Sequence, residues 1–560
     1  MTNFKSAQNP MFRNSWGEDT FNRKYRHDGA LTWAELSTTL INDVCGDRLT
    51  KEEKERLIQY HTDMKFIAGG RYLYYAGRPK KFFNNCYLLR ALEDTREDWA
   101  DLSKRAETCL ATGGGIGIDY SIYRASGSVL HGTGGIASGP ISKMLMINEI
   151  GRQIMQGGSR RSAIYASLNW QHADATKLLE VKNWNNYPIG NTGLTLADIK
   201  KEDFNFPCPL DMTNISINYD TKWLTKYWET GELDDVFVRN VRQALSTAEP
   251  GFSFNFFDKE NETLRNACTE VTSEDDSDVC NLGSVNLSRI NSVSEFADVV
   301  NLATKFLVCG TLVADLPYEK VAKVREKNRR LGLGLMGIHE WLLQRNFGYV
   351  VTPELHRWLT IYRDVSRATA NKFCDKLDIS RPVACRAIAP TGTIGILAGT
   401  TTGIEPLFAV AFKRRYLKGT KWHYQYVVDG AAKQLIDMYN KDPDSIETAL
   451  SLSANPEQRI KFQADVQDYV DQAISSTINL PAWGSSGNNE DNVLAFANTL
   501  ASYAHRLRGF TCYPDGSRGG QPLTLVPYKE AVEKLGEEFE EGIEAIDVCS
   551  ITGRGGVCGS

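Results

Sequence analysis

The hydrophobic and polar positions of the chain alternate between two periods. Residues 1 to about 80 repeat mainly with helical spacing. Thr50-Lys51-Glu52-Glu53 is a capping box, a serine or threonine followed three residues later by an acid, and it starts a helix running to about Met64. Phe66–Arg71 and a turn lead to Asn84-Asn85-Cys86-Tyr87-Leu88-Leu89, which reads as a buried strand. Helical spacing returns from Glu93 to Glu107 and again before Met155. Asn214-Ile215-Ser216-Ile217-Asn218 alternates as a strand does. Asn328 to Gly337 is read as a strand packing into a helix, His339 to Gln344. Amphipathic helices are expected at about 456–478 and 491–508. In the second of these Val493, Phe496, Leu500 and Tyr503 share a face, and Gly509 ends it. Taken together, the periodicity predicts a mixed α/β chain.

The stretch Asn266-Ala267-Cys268-Thr269-Glu270 stands out. If it is extended, Asn266, Cys268 and Glu270 point to one face, so an amide, a thiol and a carboxyl share a surface. Cys280-Asn281-Leu282-Gly283 follows ten residues after Glu270.

Composition narrows the class. The chain has 560 residues, 42% apolar and 24% charged, enough for two to four domains or one large α/β domain with attachments. A net charge of −5 argues against a nucleic-acid binder but leaves room for a local basic pocket for phosphates. The N-terminal stretch has no apolar run of a secretory signal, and no apolar segment was expected to approach the roughly 20 residues of a membrane helix. A cytoplasmic enzyme with no membrane association is therefore expected. Of the 12 cysteines, none forms a CxxC pair or a zinc-spaced Cys/His run, so no metal site is expected. Cys45, Cys109, Cys309 and Cys374 are read as small buried hydrophobes.

Two glycine-dense runs, Gly113–Gly117 and His131–Pro140, fall within thirty residues and suggest backbone brought close to a ligand. The paired arginines of Gly157-Gly158-Ser159-Arg160-Arg161 suit a phosphate, or equally cap a helix or lie in solvent. Pro390-Thr391-Gly392-Thr393-Ile394-Gly395, before a helix, suggests a nest of N–H donors for phosphate. At the C-terminal end Cys549 and Cys558 lie in a glycine-rich, mobile stretch. A travelling thiol pair suits exchange with a buried pair; incidental cysteines in a disordered tail are the other reading.

Together these segments resemble one family, the catalytic subunits of ribonucleotide reductases. The resemblance is carried in order by Asn-Asn-Cys at 84–86, the glycine run at 113–117, His-Gly-x-Gly-Gly-x-Ala-Ser-Gly-Pro at 131–140, Asn-x-Cys-x-Glu at 266–270, Cys-Asn-Leu at 280–282, Asn-Arg-Arg-x-Gly at 328–332 and Pro-Thr-Gly-Thr at 390–393. It implies a ten-stranded α/β barrel of two five-stranded halves with a central finger loop and a helical N-terminal layer. The N-terminal region is expected at 1–80, the barrel at 81–530 and a redox tail at 531–560. By the same resemblance Cys268, at the finger tip, becomes a thiyl radical and removes the 3′-hydrogen of the ribose. Glu270 takes the 3′-OH proton, and Asn266 holds the substrate hydroxyls. Cys86 and Cys280 supply two electrons and end as a disulfide, which Cys549 and Cys558 reduce before passing the oxidation to thioredoxin or a glutaredoxin-like donor. Substrate binding falls to Asn85, Gly114, Gly115 and the 390–395 loop.

A thiyl radical needs a generator. The only Tyr-Tyr pair, Tyr74-Tyr75, comes too early for the oxygen-dependent class, and no Arg-Val-x-Gly-Tyr glycyl-radical context occurs. Gly135–Pro140 and Asn328–Leu343 look most like the adenosylcobalamin-dependent class. The alternative is a class I catalytic subunit served by a separate metal-containing subunit. The 85 residues before Cys86 leave no room for a regulatory ATP-cone, so no on/off control by dATP is expected. About a dozen residues separate Gly117 from His131. This short spacing suggests a homodimer binding a dNTP or ATP specificity effector at its interface, with Glu93, Asp94, His131 and Gly134 as contacts. Residues 203–211 would relay effector identity to the base. One departure is the eight residues between Cys549 and Cys558, where relatives have four or fewer.

Overall fold

The computed structural model describes residues 12–541, apart from 133, 155–161, 204, 419–420, 518–522 and 537. Five strands form its first half. Cys86–Arg90, Gly115–Asp119, Ile164–Asn169, Thr213–Tyr219 and Gly251–Phe254 lie side by side, each parallel to the next. Parallel neighbours need a crossover, and helices supply it: Arg96–Ala111, Pro140–Gln153, Ala175–Glu180 and Asp235–Thr247. These strands are buried along most of their length, as sheets covered by helices are.

The second half runs the other way. Asp278–Asn286 meets Cys86–Leu88 antiparallel and Leu331–Met336 parallel. Single parallel bridges, Leu333–Arg386 and Ile388–Ile474, then carry extended chain to Ile478–Leu480, which pairs with Cys512–Pro514. Gly509–Phe510, just before that last strand, returns antiparallel to Phe252–Ser253 of the first half. The ten segments expected from the resemblance are thus present. Nine strands form one sheet, and the remaining joins are the two single bridges and a separate two-stranded pair, not a continuous ladder.

Helices Ser15–Lys24, Trp33–Cys45 and Lys51–Thr62 make the N-terminal layer, and the last opens on the Thr50/Glu53 capping box. Phe66–Ala68 is a short strand on the edge of Asp278–Asn286. Several boundaries differ from the sequence reading. The helix expected at 456–478 ends at Gln467, because the chain must turn into Ile478–Leu480; the one expected at 491–508 ends at Tyr503. A four-stranded antiparallel sheet was not foreseen. It is built from Leu523–Leu525, Ala411–Lys418, Lys421–Val428 and Glu538–Glu541, the last inside the stretch read as tail.

The expectation that no segment would match a membrane helix also needs correction. Val293–Val313 has 21 residues, and its most apolar 18-residue window has a mean hydropathy of 1.5. Two-thirds of that window is buried, in the core that also holds Phe66, Trp341 and Trp358, so its apolar character is explained by packing between protein layers.

Candidate active site

Between the two halves the chain makes a hairpin, Leu264–Arg265 against Thr272–Ser273, and residues 266–271 are its tip. The tip is a turn, not the extended stretch assumed from alternation. Thr269 N–H donates to the Asn266 carbonyl at 3.0 Å, and Thr269 takes a left-handed backbone with φ 71°. The alternating-face argument therefore fails, because the tip is not a strand. Asn266, Cys268 and Glu270 are all buried, with Cys268 6% exposed.

The glycine run explains how a finger fits there. A Cβ on Gly117 would sit 1.6 Å from the Arg265 carbonyl oxygen, and one on Gly115 would meet the Ala267 methyl at 3.3 Å. A Cβ on Gly114 would strike the Tyr87 ring at 2.5 Å. Gly115 and Gly117 thus leave room for the finger, and Gly114 for the Tyr87 ring. In the second run Gly132 and Gly134 face open space.

Cys86 and Cys280 are directly opposite each other in the antiparallel pairing of Cys86–Leu88 with Asp278–Cys280. Opposed residues in such a ladder have Cα atoms about 4.5–5.5 Å apart, within the span of a disulfide. Both occur as thiols. Asn266 ties the finger to this pair: its Nδ2 donates to Cys86 Sγ at 3.1 Å, while its Oδ1 accepts the Val271 N–H at 3.0 Å. Burial pushes the Cys280 thiol well above its ordinary range. The Arg330 guanidinium opposes that rise, and Asp278, Cys86 and Glu270 add to it. Cys280 is therefore protonated at neutral pH. Gly332 leaves the space its sulfur occupies, since a Cβ there would lie 3.0 Å from Sγ.

The root of the finger is clamped by Glu262, which sequence reasoning missed. Its Oε2 accepts from Arg508 Nη2 and Thr272 Oγ1, each at 2.8 Å. Burial alone would raise this carboxyl, but the Arg508 and Arg330 guanidinium groups outweigh it and hold it at about 2. An unfolded glutamate titrates near 4.3. The folded value is the lower one, so the clamp stabilises fully above that pH and is lost as pH falls towards about 2. Glu262→Gln should cost on the order of 3 kcal/mol at pH 7. Thermal melts of variant and wild type should converge between about pH 4.3 and 2; a gap that persists at pH 2 would contradict the clamp.

The other expected positions are placed as follows. Asn85 is buried beside Cys86, and its carbonyl accepts the Gly115 N–H. Thr391 is buried with φ 52°, and its Oγ1 accepts the Gly403 N–H at 2.8 Å. Pro390, Gly392, Thr393 and Gly395 line a cavity that Trp16, Phe408 and Phe412 also line. Asp94 is paired with Arg124 at 2.6 Å, and Glu93 and His131 are exposed. Arg160, Arg161, Cys549 and Cys558 lie outside the described residues.

Comparison with known proteins identifies the family. A family model described as "Ribonucleotide reductase, barrel domain" matches residues 84–205, 214–356 and 381–513. The "Vitamin B12-dependent ribonucleoside-diphosphate reductase" of Mycobacterium tuberculosis is 26% identical over 543 residues, covering 87% of this chain and 74% of the relative. The protein of the same description from Thermoplasma acidophilum is 27% identical over 518 residues, covering 84% and 66%. The solved Actinobacillus ureae class Id ribonucleotide reductase alpha subunit superposes with a TM-score of 0.68 over 90% of this chain and 97% of its own, at 15% identity, a likeness of fold. With the barrel model covering most of its length, and a buried finger meeting a facing cysteine pair, the chain belongs to the ribonucleotide reductase family.

Proposed function

We propose that this chain replaces the 2′-hydroxyl of a ribonucleotide by hydrogen through radical chemistry at Cys268, with Cys86 and Cys280 as the internal reductant. The observation that carries this reading is the contact of Asn266 with Cys86, which joins the finger to a pair of thiols in facing register. Cys268 removes the 3′-hydrogen and later returns it. Glu270, a carboxylate at the same tip, receives the 3′-OH proton. The 2′-hydroxyl leaves as water. Two electrons and two protons come from the two thiols, which end as one disulfide, so one ribonucleotide and one dithiol give one deoxyribonucleotide, one water and one disulfide. The protonated state of the buried Cys280 suits it as a hydrogen donor. Asn85, Gly114, Gly115 and the 390–395 loop hold the substrate. Cys549 and Cys558 restore the pair at the expense of a thioredoxin-like or glutaredoxin-like protein.

The relatives' descriptions point to a cobalamin. Adenosylcobalamin, when bound, supplies the first radical by homolysis of its carbon–cobalt bond. The residues fit such a group. Trp16, Ile396, Leu407, Phe408, Phe412 and Leu523 give the cavity beside the 390–395 loop an apolar lining against which part of such a group would pack. Thr477 lines both this cavity and a small chamber that includes Thr269, next to Cys268. Val129 and Ile136 of the hairpin Val129–Leu130/Gly135–Ile136 are exposed apolar side chains, as are Ile122 before it and Leu145 and Met146 on the helix after it. They favour a homodimer at that face, with Glu93, Asp94, His131 and Gly134 around a dNTP or ATP effector.

The test is anaerobic turnover of CDP and CTP with adenosylcobalamin and dithiothreitol, with and without dNTP effectors. Formation of dCDP or dCTP is expected without any second protein, and the preferred substrate identifies the phosphate class. Product only after addition of a metal-containing subunit would move the chain to the class I alternative. No product under any effector would overturn the cobalamin assignment.

A further inference from the structure

We propose that Asn214 is a positioning residue for the Cys268 thiol. Its Nδ2 donates to the carbonyl of Ala267 at 3.1 Å, the peptide immediately before the reacting cysteine. The turn that carries Cys268 needs such a hold. Thr269 occupies a left-handed backbone region that costs a non-glycine residue energy and persists only where the surroundings enforce it. Two contacts from outside the finger bracket the tip. Ala473 N–H donates to the Glu270 carbonyl at 2.8 Å on one side, and the Asn214 amide grips the Ala267 carbonyl on the other. The first is a main-chain contact; the second depends on one side chain.

Asn214 is itself firmly placed. It opens the strand Thr213–Tyr219, in parallel register with Tyr165. The residues before it are locked to the helix Pro140–Gln153. Asn148 Oδ1 accepts from the Met212 N–H at 2.9 Å and from Thr213 Oγ1 at 2.8 Å. Asp211 pairs with Arg152 and Lys200. The Lys182 ammonium donates to the Thr213 carbonyl at 2.8 Å. The amide is therefore a rigid arm from the helix layer to the finger tip. Behind it lies a chamber of about 20 Å³, lined by Asn214, Ser216, Thr269, Thr477 and Thr511 among others. That is room for about one water in a polar surround. Truncating Asn214 enlarges the chamber and exchanges a fixed donor for mobile water, so the tip loosens while the strand stays in place.

The inference rests on the reading of Cys268 as the reacting thiol, and its test does not require catalysis. In the apo-protein, Asn214→Ala and the isosteric Asn214→Asp, which lacks the donor, should each speed alkylation of Cys268 by iodoacetamide about fivefold or more, located by peptide mass. Deuterium uptake in the 264–273 peptide should rise in step. Melting temperature should change little. In turnover, kcat should fall about tenfold to a hundredfold, the sensitivity expected of a misplaced reacting group, with KM changed less than about twofold. Wild-type alkylation and uptake in Asn214→Asp would overturn the proposal. So would a rise in KM with kcat unchanged, which would make Asn214 a substrate contact. Full activity of Cys268→Ser would instead remove the reading beneath it.

Discussion

Cys268→Ser is expected to lower turnover by on the order of 10⁴-fold or more while leaving nucleotide affinity and melting temperature near wild type. The hydroxyl fills nearly the same volume in a site only 6% exposed, so the fold has no reason to change. What is lost is specific to sulfur. The O–H bond is stronger than the S–H bond, and serine cannot be converted to a radical that takes the ribose hydrogen and gives it back. The measurement pairs a turnover assay with equilibrium binding of CDP. Loss of binding together with turnover would mean that the finger positions substrate and does no chemistry. Unchanged turnover would refute the radical assignment.

Gly117→Ala is expected to be the most damaging single change of a methyl group in the chain. The added carbon would lie 1.6 Å from the Arg265 carbonyl oxygen and 2.7 Å from its carbon, both backbone atoms that no rotamer change can move. Overpacking of a core ordinarily costs about 1–3 kcal/mol, and a clash with main chain on both sides of a sheet-to-finger contact belongs at or above the top of that range. The finger must shift bodily to relieve it, so any folded fraction should have lost turnover out of proportion to its loss of stability. Gly132→Ala is the control. It belongs to the second glycine run, has nothing within 4 Å of the added carbon, and should leave the melting temperature unchanged. Equal tolerance of the two substitutions would show that the finger does not pack as described.

How much of this was legible beforehand varies with the range of the interactions. The capping box at Thr50, the buried strand at Cys86 and the alternation through Thr213–Tyr219 are local patterns, and all three became the expected elements. The helix expected to run to residue 478 stops at Gln467 because a distant strand, Cys512–Pro514, recruits the chain that follows. The sheet around Ala411–Lys418 was missed in part for the same reason: its outer strands, Leu523–Leu525 and Glu538–Glu541, come from far along the chain, although Lys421–Val428 is a local hairpin partner. At the site, the residue types Asn, Cys and Glu were readable, but the geometry assumed for them was wrong. A strand puts alternate residues on one face; the tip is instead a turn, with Thr269 in a left-handed backbone.

The sequence by itself determined which atoms are available for the chemistry: a thiol flanked by an amide and an acid, two further cysteines near 86 and 280, and the order of segments that marks the family. Tertiary structure alone decided that those two cysteines face each other across a ladder, that Gly115 and Gly117 leave room for a finger, and that Asn214 and Glu262 hold that finger at tip and root. The division has one physical cause. Composition and short-range periodicity fix donors, acceptors and local elements, whereas register between strands far apart in the chain depends on which surfaces can close together without clash, and that is settled only when the whole core packs.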